Sequence, residues 1–389
     1  MAVEGINRVE VSPRQGVARH KVTAKHMMSK EKRMFFDGAC LLALQEKVVI
    51  LQETNRFTLM MEFRTPVALP PSFLQLDIRS TVMLAGSCFA QHMAARLADA
   101  LPDGQVCELP QGVLYNPLSI ADSLDDLLSE NWDAEAAEKR TFLTAEGDWR
   151  HWGYSTLTSD RDRQRLLANL EKRWKETRDA LLRADVLMVT FSTDHVYRLA
   201  DGPLAHQVVA NCHKQPAALF REEVADAEEC MARWRGILDR LWKISPKKKM
   251  VFTLSPYRYA KCGMHGNALI KARLLLLIDG LCKAYPDRTA YFPAYEIITD
   301  ELRDYRFYAP DMLHPSDQAV DYVWERFREW TFTSGLKNYA AERGRLLRMQ
   351  RHRPFHSEGT SWEAFKQRLR QQEERVAQME QNAAKYADS

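Results

Sequence analysis

An apolar run, a tight turn and the start of a helix follow one another in Thr81-Val82-Met83-Leu84-Ala85-Gly86-Ser87-Cys88-Phe89-Ala90. Residues 91–100 continue the helical pattern. This order is typical of a strand–turn–helix unit in an α/β protein. A serine at such a bend is lifted clear of the sheet, and its N–H group joins a helix N-terminus, where negative charge is favoured. Ser87 is therefore a candidate nucleophile.

A second motif, Asp311-Met312-Leu313-His314-Pro315-Ser316, lies far later in the chain, just ahead of another predicted helix. A serine hydroxyl is a weak nucleophile at neutral pH and needs an adjacent base. His314 is the candidate base, and Asp311 is placed to hold its tautomer and to stabilise the imidazolium that forms. The alternative is an ordinary loop in which Ser316 caps the next helix. The presence of the Gly86-Ser87 turn favours the catalytic interpretation.

These two motifs resemble known families. The pentapeptide resembles the motif that names the GSCFA family, and the Asp-x-x-His pair resembles the last sequence block of the SGNH (GDSL-like) esterases. Further family-like stretches are Gly112-Val113-Leu114-Tyr115-Asn116-Pro117-Leu118, Asn211-Cys212-His213-Lys214 and Phe252-Thr253-Leu254-Ser255-Pro256. The likeness runs from about residue 61 to about residue 330. It implies a serine esterase that acts on an O-acyl ester, for example on a carbohydrate, through an acyl-serine intermediate without metal or cofactor.

Apolar runs alternate with helix-period segments along this region, as in a chain of βαβ units. Strands are predicted at 81–85, 105–109, 185–190, 249–254 and 289–293, and helices at 88–101, 118–129, 161–182, 221–243, 266–284 and 317–330. With the resemblance, this predicts a three-layer α/β/α sandwich around a five-stranded parallel sheet in flavodoxin-like order. Loops at the carboxyl ends of such strands converge on one crevice, so Ser87 and His314 can meet there.

Three segments are expected. Residues 1–59 lack a clear period and are predicted to be an extension that is disordered or lies upstream of the genuine start. Residues 61–332 are predicted to form the hydrolase domain. Residues 335–389 are predicted to be a basic linker and an amphipathic helix, whose apolar face carries Trp362, Phe365, Leu369, Gln372, Val376, Met379 and Ala383. Their 3-4 spacing predicts either docking on the body or pairing in a homodimer.

Composition narrows the class of protein. The seven cysteines have no framework spacing, which indicates a reducing compartment and a cytoplasmic location. No apolar run reaches the roughly 18 residues of a membrane span. Residues 61–334 hold 34 Lys and Arg against 39 Asp and Glu, so no nucleic-acid partner is expected for this region. The expected partner is a small-molecule or glycan ester.

Acyl transfer needs hydrogen-bond donors aimed at the developing oxyanion. The Ser87 amide is one candidate, and Gly112 corresponds to the glycine that supplies another in SGNH enzymes. The third donor there is an asparagine, where this chain has Asp194. An ionised carboxylate at that point would oppose the transition state, so Asp194 is expected to turn away, to meet a cation or to be protonated. Asn211 or His213 is the predicted replacement.

Other residues are candidates for substrate contact. The predicted set is Asn116, Asp194, His213, Tyr257 and Arg258. Arg258 and Lys261 are suited to an anionic group, although solvated loop charges are the simpler interpretation. Six aromatic residues have two possible roles: they either line a cleft for a flat substrate or pack in the core or at its rim. They are Tyr115, Trp152, Tyr154, Tyr197, Tyr257 and Tyr308.

The sequence also offers two alternative chemistries to the serine. Cys88 is a rival nucleophile because a helix N-terminus lowers a thiol pKa, but its side chain is expected to point into the core. A metal site from His195, His206, Cys212 and His213 matches no zinc spacing, and no metal is predicted. The alternative function is a non-catalytic module that binds a glycan or a protein, with an oxyanion hole made degenerate by Asp194.

Overall fold

The computed structural model describes residues 64–353 and 358–385. Its main sheet has five strands, β1 (Val82–Gly86), β2 (Val106–Glu108), β3 (Val186–Phe191), β4 (Lys249–Leu254) and β5 (Thr289–Phe292). They lie in the order β2-β1-β3-β4-β5, and every neighbouring pair is parallel. The predicted sheet and its flavodoxin-like order are confirmed.

Helices cover both faces of this sheet. They are α1 (Cys88–Ala100), α2 (Pro117–Leu127), α3 (Arg163–Arg183), α4 (Ala227–Ile244), α5 (Gly263–Ala284), α6 (Asp317–Thr331), α7 (Ser334–Arg351) and α8 (Thr360–Lys385). Successive strand side chains point to opposite faces. Met83 therefore packs in one core with α2 to α5, and Leu84 packs in a second core with α1 and α6 to α8. This is the predicted three-layer sandwich.

One predicted helix is wrong at its start. Residues 221–243 were expected to be helical throughout, but Phe220–Val224 is a strand paired antiparallel with His195–Leu199. Helix α4 begins only at Ala227, where the Asp226 carboxylate accepts a hydrogen bond from the Glu229 amide at 2.8 Å. The strand depends on a partner more than twenty residues away, which a local period cannot show. A second hairpin, Thr141–Leu143 with Trp149–His151, was not predicted either.

Residues expected to be a basic linker form most of α7. Leu336, Tyr339 and Leu346 of this helix are buried in the second core, which explains why the segment is ordered. Helix α8 docks on it: Val376 is buried, and the Gln372 Nε2 donates to the Glu342 carbonyl oxygen at 2.9 Å. The C-terminal helix therefore docks on the body of its own chain, as one of the two alternatives predicted, and the homodimer stays a prediction.

Two other expectations concern the N-terminal segment and membrane-spanning helices. The expectation for residues 1–59 lies outside the described residues. Within 64–353 and 358–385, no helix combines the length and the apolar character needed to cross a membrane.

Candidate active site

A cavity of about 430 Å³ opens at the carboxyl ends of β1, β3 and β4. This is the edge where loops of a doubly wound sheet converge. It is lined by Ser87, Cys88, Tyr115, Asn116, Ser192, Thr193, His195, Tyr197, residues 209–212, Ser255, Tyr257, Tyr259 and His314. Ser87 and His314, which are far apart in sequence, therefore share one cavity.

Ser87 occupies the turn between β1 and α1. Gly86 before it has φ +129°, and a Cβ on Gly86 would lie 2.2 Å from the Thr190 carbonyl oxygen, so only glycine allows this close approach. The Ser87 side chain is buried, and its Oγ has no hydrogen-bond partner among the described residues. An unpaired buried hydroxyl is costly in a purely structural position. It is available for chemistry.

His314 is bonded to Asp311. The His314 Nδ1 lies 2.5 Å from the Asp311 Oδ2, and the Asp311 Oδ1 accepts the backbone amides of Leu313 and His314 at 2.9 and 3.0 Å. The His314 hydrogen bond, helped by these amides, lowers the pKa of the Asp311 carboxyl to about 2. An ionised carboxylate only accepts, so the His314 Nδ1 is the donor and its Nε2 is left as the acceptor.

The two halves of the predicted dyad do not touch. The Ser87 Oγ makes no hydrogen bond within the described residues, whereas the His314 side chain is about half exposed on its loop. Catalytic hydrogen bonds are often long without substrate and tighten when it binds. The structure thus brings Ser87 and His314 to one cavity in an open arrangement.

Arg258 does not line this cavity, contrary to its predicted contact with substrate. Its backbone N–H donates to the Leu313 carbonyl at 3.0 Å, and its guanidinium donates to the Met312 carbonyl at 3.0 Å. The guanidinium also lies over the rings of Tyr305 and Tyr308, 5.4 Å from each centroid. Arg258 therefore holds the loop that carries His314.

Tyr257 does line the cavity, and its ring centroid is 4.5 Å from that of His314. The tyrosine packs on the imidazole and limits its orientation. Tyr115, Tyr197 and Tyr259 also line the cavity, whereas Trp152 and Tyr154 are buried in smaller clusters. Some of the predicted aromatic residues thus line the cavity and others pack in the core. Tyr259 lines the cavity as well, although the sequence did not indicate it.

Both predicted backbone donors are already engaged. The Ser87 N–H donates to the Thr190 carbonyl oxygen at 3.3 Å, because the β1–β3 ladder runs on past Gly86. The Gly112 N–H closes a turn onto the Leu109 carbonyl oxygen at 3.2 Å, and Gly112 does not line the cavity. Gly112 therefore presents no free N–H group to the cavity, in contrast to its predicted role in the oxyanion hole.

Two asparagine amides face the cavity instead. The Asn116 Oδ1 caps α2 by accepting the Ser119 amide at 2.8 Å. The Asn211 Oδ1 accepts the His213 amide at 2.6 Å. Because a backbone N–H only donates, these contacts identify the oxygen of each side-chain amide. Each Nδ2 group is then the free end, and neither is a donor in any hydrogen bond among the described residues.

Asp194 and His213 were predicted at the site, but neither lines the cavity. Arg273, on α5, binds the Asp194 Oδ2 and draws the buried carboxylate away. His213 is buried, with Nδ1 3.2 Å from the Thr156 Oγ1 and Nε2 3.1 Å from the His151 carbonyl oxygen. Burial lowers the pKa of His213 to about 4. Both side chains thus make their contacts away from the cavity.

The expectation for Cys88 is also wrong. Its side chain lines the cavity, with Sγ 3.8 Å from the Tyr115 hydroxyl, rather than pointing into the core. The first residue of α1 follows a bend, so its side-chain direction does not continue the alternation of β1. Within 64–353 and 358–385, no three His, Cys, Asp or Glu side chains are placed to hold one metal ion.

Lys271 is a further residue that sequence reasoning missed. It is buried on α5, and its Nζ donates to the carbonyl oxygens of Ser192 and Ser255, each at 2.9 Å. Both serines line the cavity at the ends of β3 and β4. Burial lowers the pKa of Lys271 to about 7. The signal available in the sequence was a lysine within the apolar run of α5, next to Ile270.

Fold and site together define a three-layer α/β/α protein with a serine at the first strand–helix turn and an Asp–His pair on a loop across the same cavity. The model of the GSCFA family matches residues 81–327, and the chain belongs to that family.

Among curated proteins, none matches the chain. One similar solved structure is a candidate platelet activating factor from Streptococcus pneumonia, with 11% identity and a TM-score of 0.32, covering 75% of this chain and 99% of that one. Another is a family two carbohydrate esterase from Clostridium thermocellum in complex with cellohexaose, with 9% identity and a TM-score of 0.28, covering 68% and 65%. At these scores the function has to be inferred from the site.

Proposed function

We propose that this protein is a serine esterase that hydrolyses an O-acyl ester through an acyl-serine intermediate. The observation that carries the proposal is the Asp311–His314 pair, bonded at 2.5 Å, on the same cavity as the unpaired hydroxyl of Ser87. This is the acid–base–nucleophile set of SGNH esterases, which the sequence resembles. No other group is needed to activate the serine.

The proton path follows from the tautomer of His314. With Nδ1–H held by Asp311, Nε2 takes the proton of the Ser87 hydroxyl as Oγ attacks the ester carbonyl carbon. The imidazolium then gives this proton to the leaving alcohol, and the C–O bond of the ester breaks. Water, activated by the same nitrogen, hydrolyses the acyl-serine. In this proposal the exposed His314 loop closes on Ser87 when substrate fills the cavity.

The oxyanion is stabilised by the side-chain amides of Asn116 and Asn211 in place of the engaged backbone amides. Each Oδ1 is held by a backbone N–H, so each Nδ2 is fixed before substrate arrives. Preorganised donors of this kind do not have to reorient during the reaction. The N-terminus of α1, which has no side-chain cap, adds a favourable field.

The cavity favours an ester of a ring-shaped alcohol, such as an O-acylated sugar. Tyr115, Tyr197, Tyr257 and Tyr259 provide flat faces, and the serines and asparagines between them provide hydrogen-bonding groups. Aromatic faces with polar neighbours suit a sugar ring, which is apolar on its C–H faces and polar at its edge.

The second candidate is a non-catalytic module that binds such a glycan. Two observations favour it: the Ser87 and Gly112 amides are engaged, and Ser87 makes no bond to His314. In this version, the cavity holds its ligand without turnover.

Labelling with a serine-reactive fluorophosphonate separates the two candidates. The wild-type protein is expected to be labelled at Ser87, and Ser87→Ala is expected to abolish the signal. Ser255→Ala is the matched control, because Ser255 is also buried on the cavity, but its hydroxyl already accepts the Tyr257 amide at 3.4 Å. Absence of labelling in the wild type, with no hydrolysis of short-chain aryl esters, would favour the binding module.

A further inference from the structure

A second group of reactive side chains lies beside this cavity. The His195 ring is bonded on both sides: its Nδ1 is 3.2 Å from the Glu222 Oε1, and its Nε2 is 3.5 Å from the Cys262 Sγ. His195 lines the cavity, whereas Cys262 is exposed next to it, at the N-cap position of α5. The three residues come from three separate segments, so the arrangement is a tertiary feature.

The charge state of Glu222 decides the tautomer of His195. Burial raises the pKa of the Glu222 carboxyl, but hydrogen bonds from Lys261, Tyr197 and His195 outweigh burial, and the net pKa is lowered. Glu222 is therefore ionised at neutral pH and only accepts. The His195 Nδ1 must carry the hydrogen, so the lone pair of its neutral ring lies on Nε2, facing the thiol.

The surroundings hold this orientation. The Lys261 Nζ donates to the Glu222 Oε2 at 2.5 Å, and the ring of Tyr259 stacks on the imidazole, with centroids 5.6 Å apart. The buried carboxylate of Asp194 also lies close, with its Oδ1 3.9 Å from the His195 Nε2. Among the described residues, the charged and titratable groups near His195 are thus Asp194, Glu222, Cys262, Tyr259 and, behind Glu222, Lys261.

We propose that Cys262, His195 and Glu222 form a second nucleophilic site, a reactive thiol that takes hydroperoxides. A thiol that faces an oriented imidazole at the start of a helix has the environment of reactive cysteines. The site is independent of Ser87, and it does not depend on the esterase assignment.

The reaction balances within the site and its reagent. The His195 Nε2 takes the Cys262 proton, and the thiolate sulfur attacks one oxygen of the hydroperoxide. The O–O bond breaks, and the leaving hydroxide or alkoxide takes the proton back from the imidazolium. Sulfur is oxidised to a sulfenic acid, and the peroxide is reduced to water or an alcohol.

Three other thiols, each buried or half-buried, serve as internal controls. Burial raises the pKa of Cys107 and Cys212 to about 11 and that of Cys230 to about 12. A thiol with a raised pKa is mostly protonated at neutral pH and reacts slowly. Cys262 is therefore expected to react faster than these three thiols.

The first experiment maps iodoacetamide alkylation at pH 7 by peptide mass spectrometry. Cys262 is expected to react at least about tenfold faster than in the urea-unfolded chain, and His195→Gln and Glu222→Gln to remove this advantage. His206→Gln, an exposed histidine outside the cluster, is the matched control. The same rate is expected in Ser87→Ala, so a failed esterase assignment leaves this result intact.

The second experiment uses hydrogen peroxide, with dimedone to trap the sulfenic acid. The adduct is expected on Cys262 in the wild type and to be lost in His195→Gln. Circular dichroism checks that each variant is folded. An alkylation rate at Cys262 equal to that of the unfolded chain, or unchanged by His195→Gln, would overturn the reactive thiol. Alkylation without a dimedone adduct would overturn the hydroperoxide assignment.

Discussion

Asn116 offers a way to remove an oxyanion donor without disturbing the fold. Its Oδ1 caps α2, and its Nδ2 is the proposed donor. In Asn116→Ser and Asn116→Asp, the new side chain still accepts from the Ser119 amide, since Ser, Asp and Asn are nearly equivalent as N-caps. Both variants should therefore keep the melting temperature of the wild type and lose only the group that faces the cavity.

The two variants should differ in how much they lower kcat. Loss of one donor costs about 2.7–4 kcal/mol, so Asn116→Ser should lower kcat by about 10²–10³. Asn116→Asp also brings a carboxylate to the same place, and a negative charge roughly 4 Å from the oxyanion costs about 4 kcal/mol more at an effective dielectric near 20. Its kcat should be lower by about another 10³.

The assay is steady-state hydrolysis of a short-chain aryl ester, with thermal melting as the structural control. A donor to the transition state lowers kcat and kcat/KM together, whereas a substrate contact raises KM. The donor role is refuted if Asn116→Ser keeps kcat within about threefold of the wild type at an unchanged melting temperature. It is refuted as well if the Asp variant is no slower than the Ser variant.

Four further outcomes are expected. Ser87→Ala and His314→Ala should each abolish hydrolysis without additive losses, so a double mutant slower by the product of both effects would exclude a shared dyad. Asp311, whose folded pKa is lowered to about 2, should contribute stability above its unfolded pKa of about 3.9 and lose it as pH falls toward 2. Carboxyl NMR titration measures the folded pKa, and urea denaturation at each pH measures the free energy of unfolding. Lys271, with a folded pKa of about 7 and an unfolded pKa of about 10.4, binds a proton more readily in the unfolded chain. The free energy of unfolding should therefore rise with pH between these two values. Urea denaturation at several pH values measures this rise, which should be absent from Lys271→Met. Asp194→Asn should lower the melting temperature but change kcat by less than about threefold, and a hundredfold rise would mean that the carboxylate faces the oxyanion.

Features that depend on neighbouring residues were predictable from the sequence. The strand β1 and the turn at Ser87 follow from an apolar run that ends in Gly86-Ser87. The Asp311–His314 pair follows from a spacing of three residues in a loop that Ser316 ends by capping α6 through the Ala319 amide. Each signal lies within a few residues, where period and capping chemistry operate.

Features that depend on distant partners were not predictable. Asp194 turns from the cavity because Arg273 binds it, and Arg258 serves the His314 loop because the Met312 carbonyl comes within reach. His195 has a strand partner and a thiol partner that the local sequence does not indicate. These contacts join residues between 29 and 79 positions apart, for which a single sequence carries no period or motif.

Detection of the acyl-enzyme is the most direct test that Ser87 is the nucleophile. The protein is mixed with a chromogenic acetate ester, quenched in acid within the first turnovers and analysed by intact and peptide mass spectrometry. The proposed mechanism predicts one added acetyl group on Ser87, absent from Ser87→Ala and retained in Ser255→Ala. Steady release of the alcohol with no acetyl group on Ser87, or with the acetyl group on another residue, would contradict it.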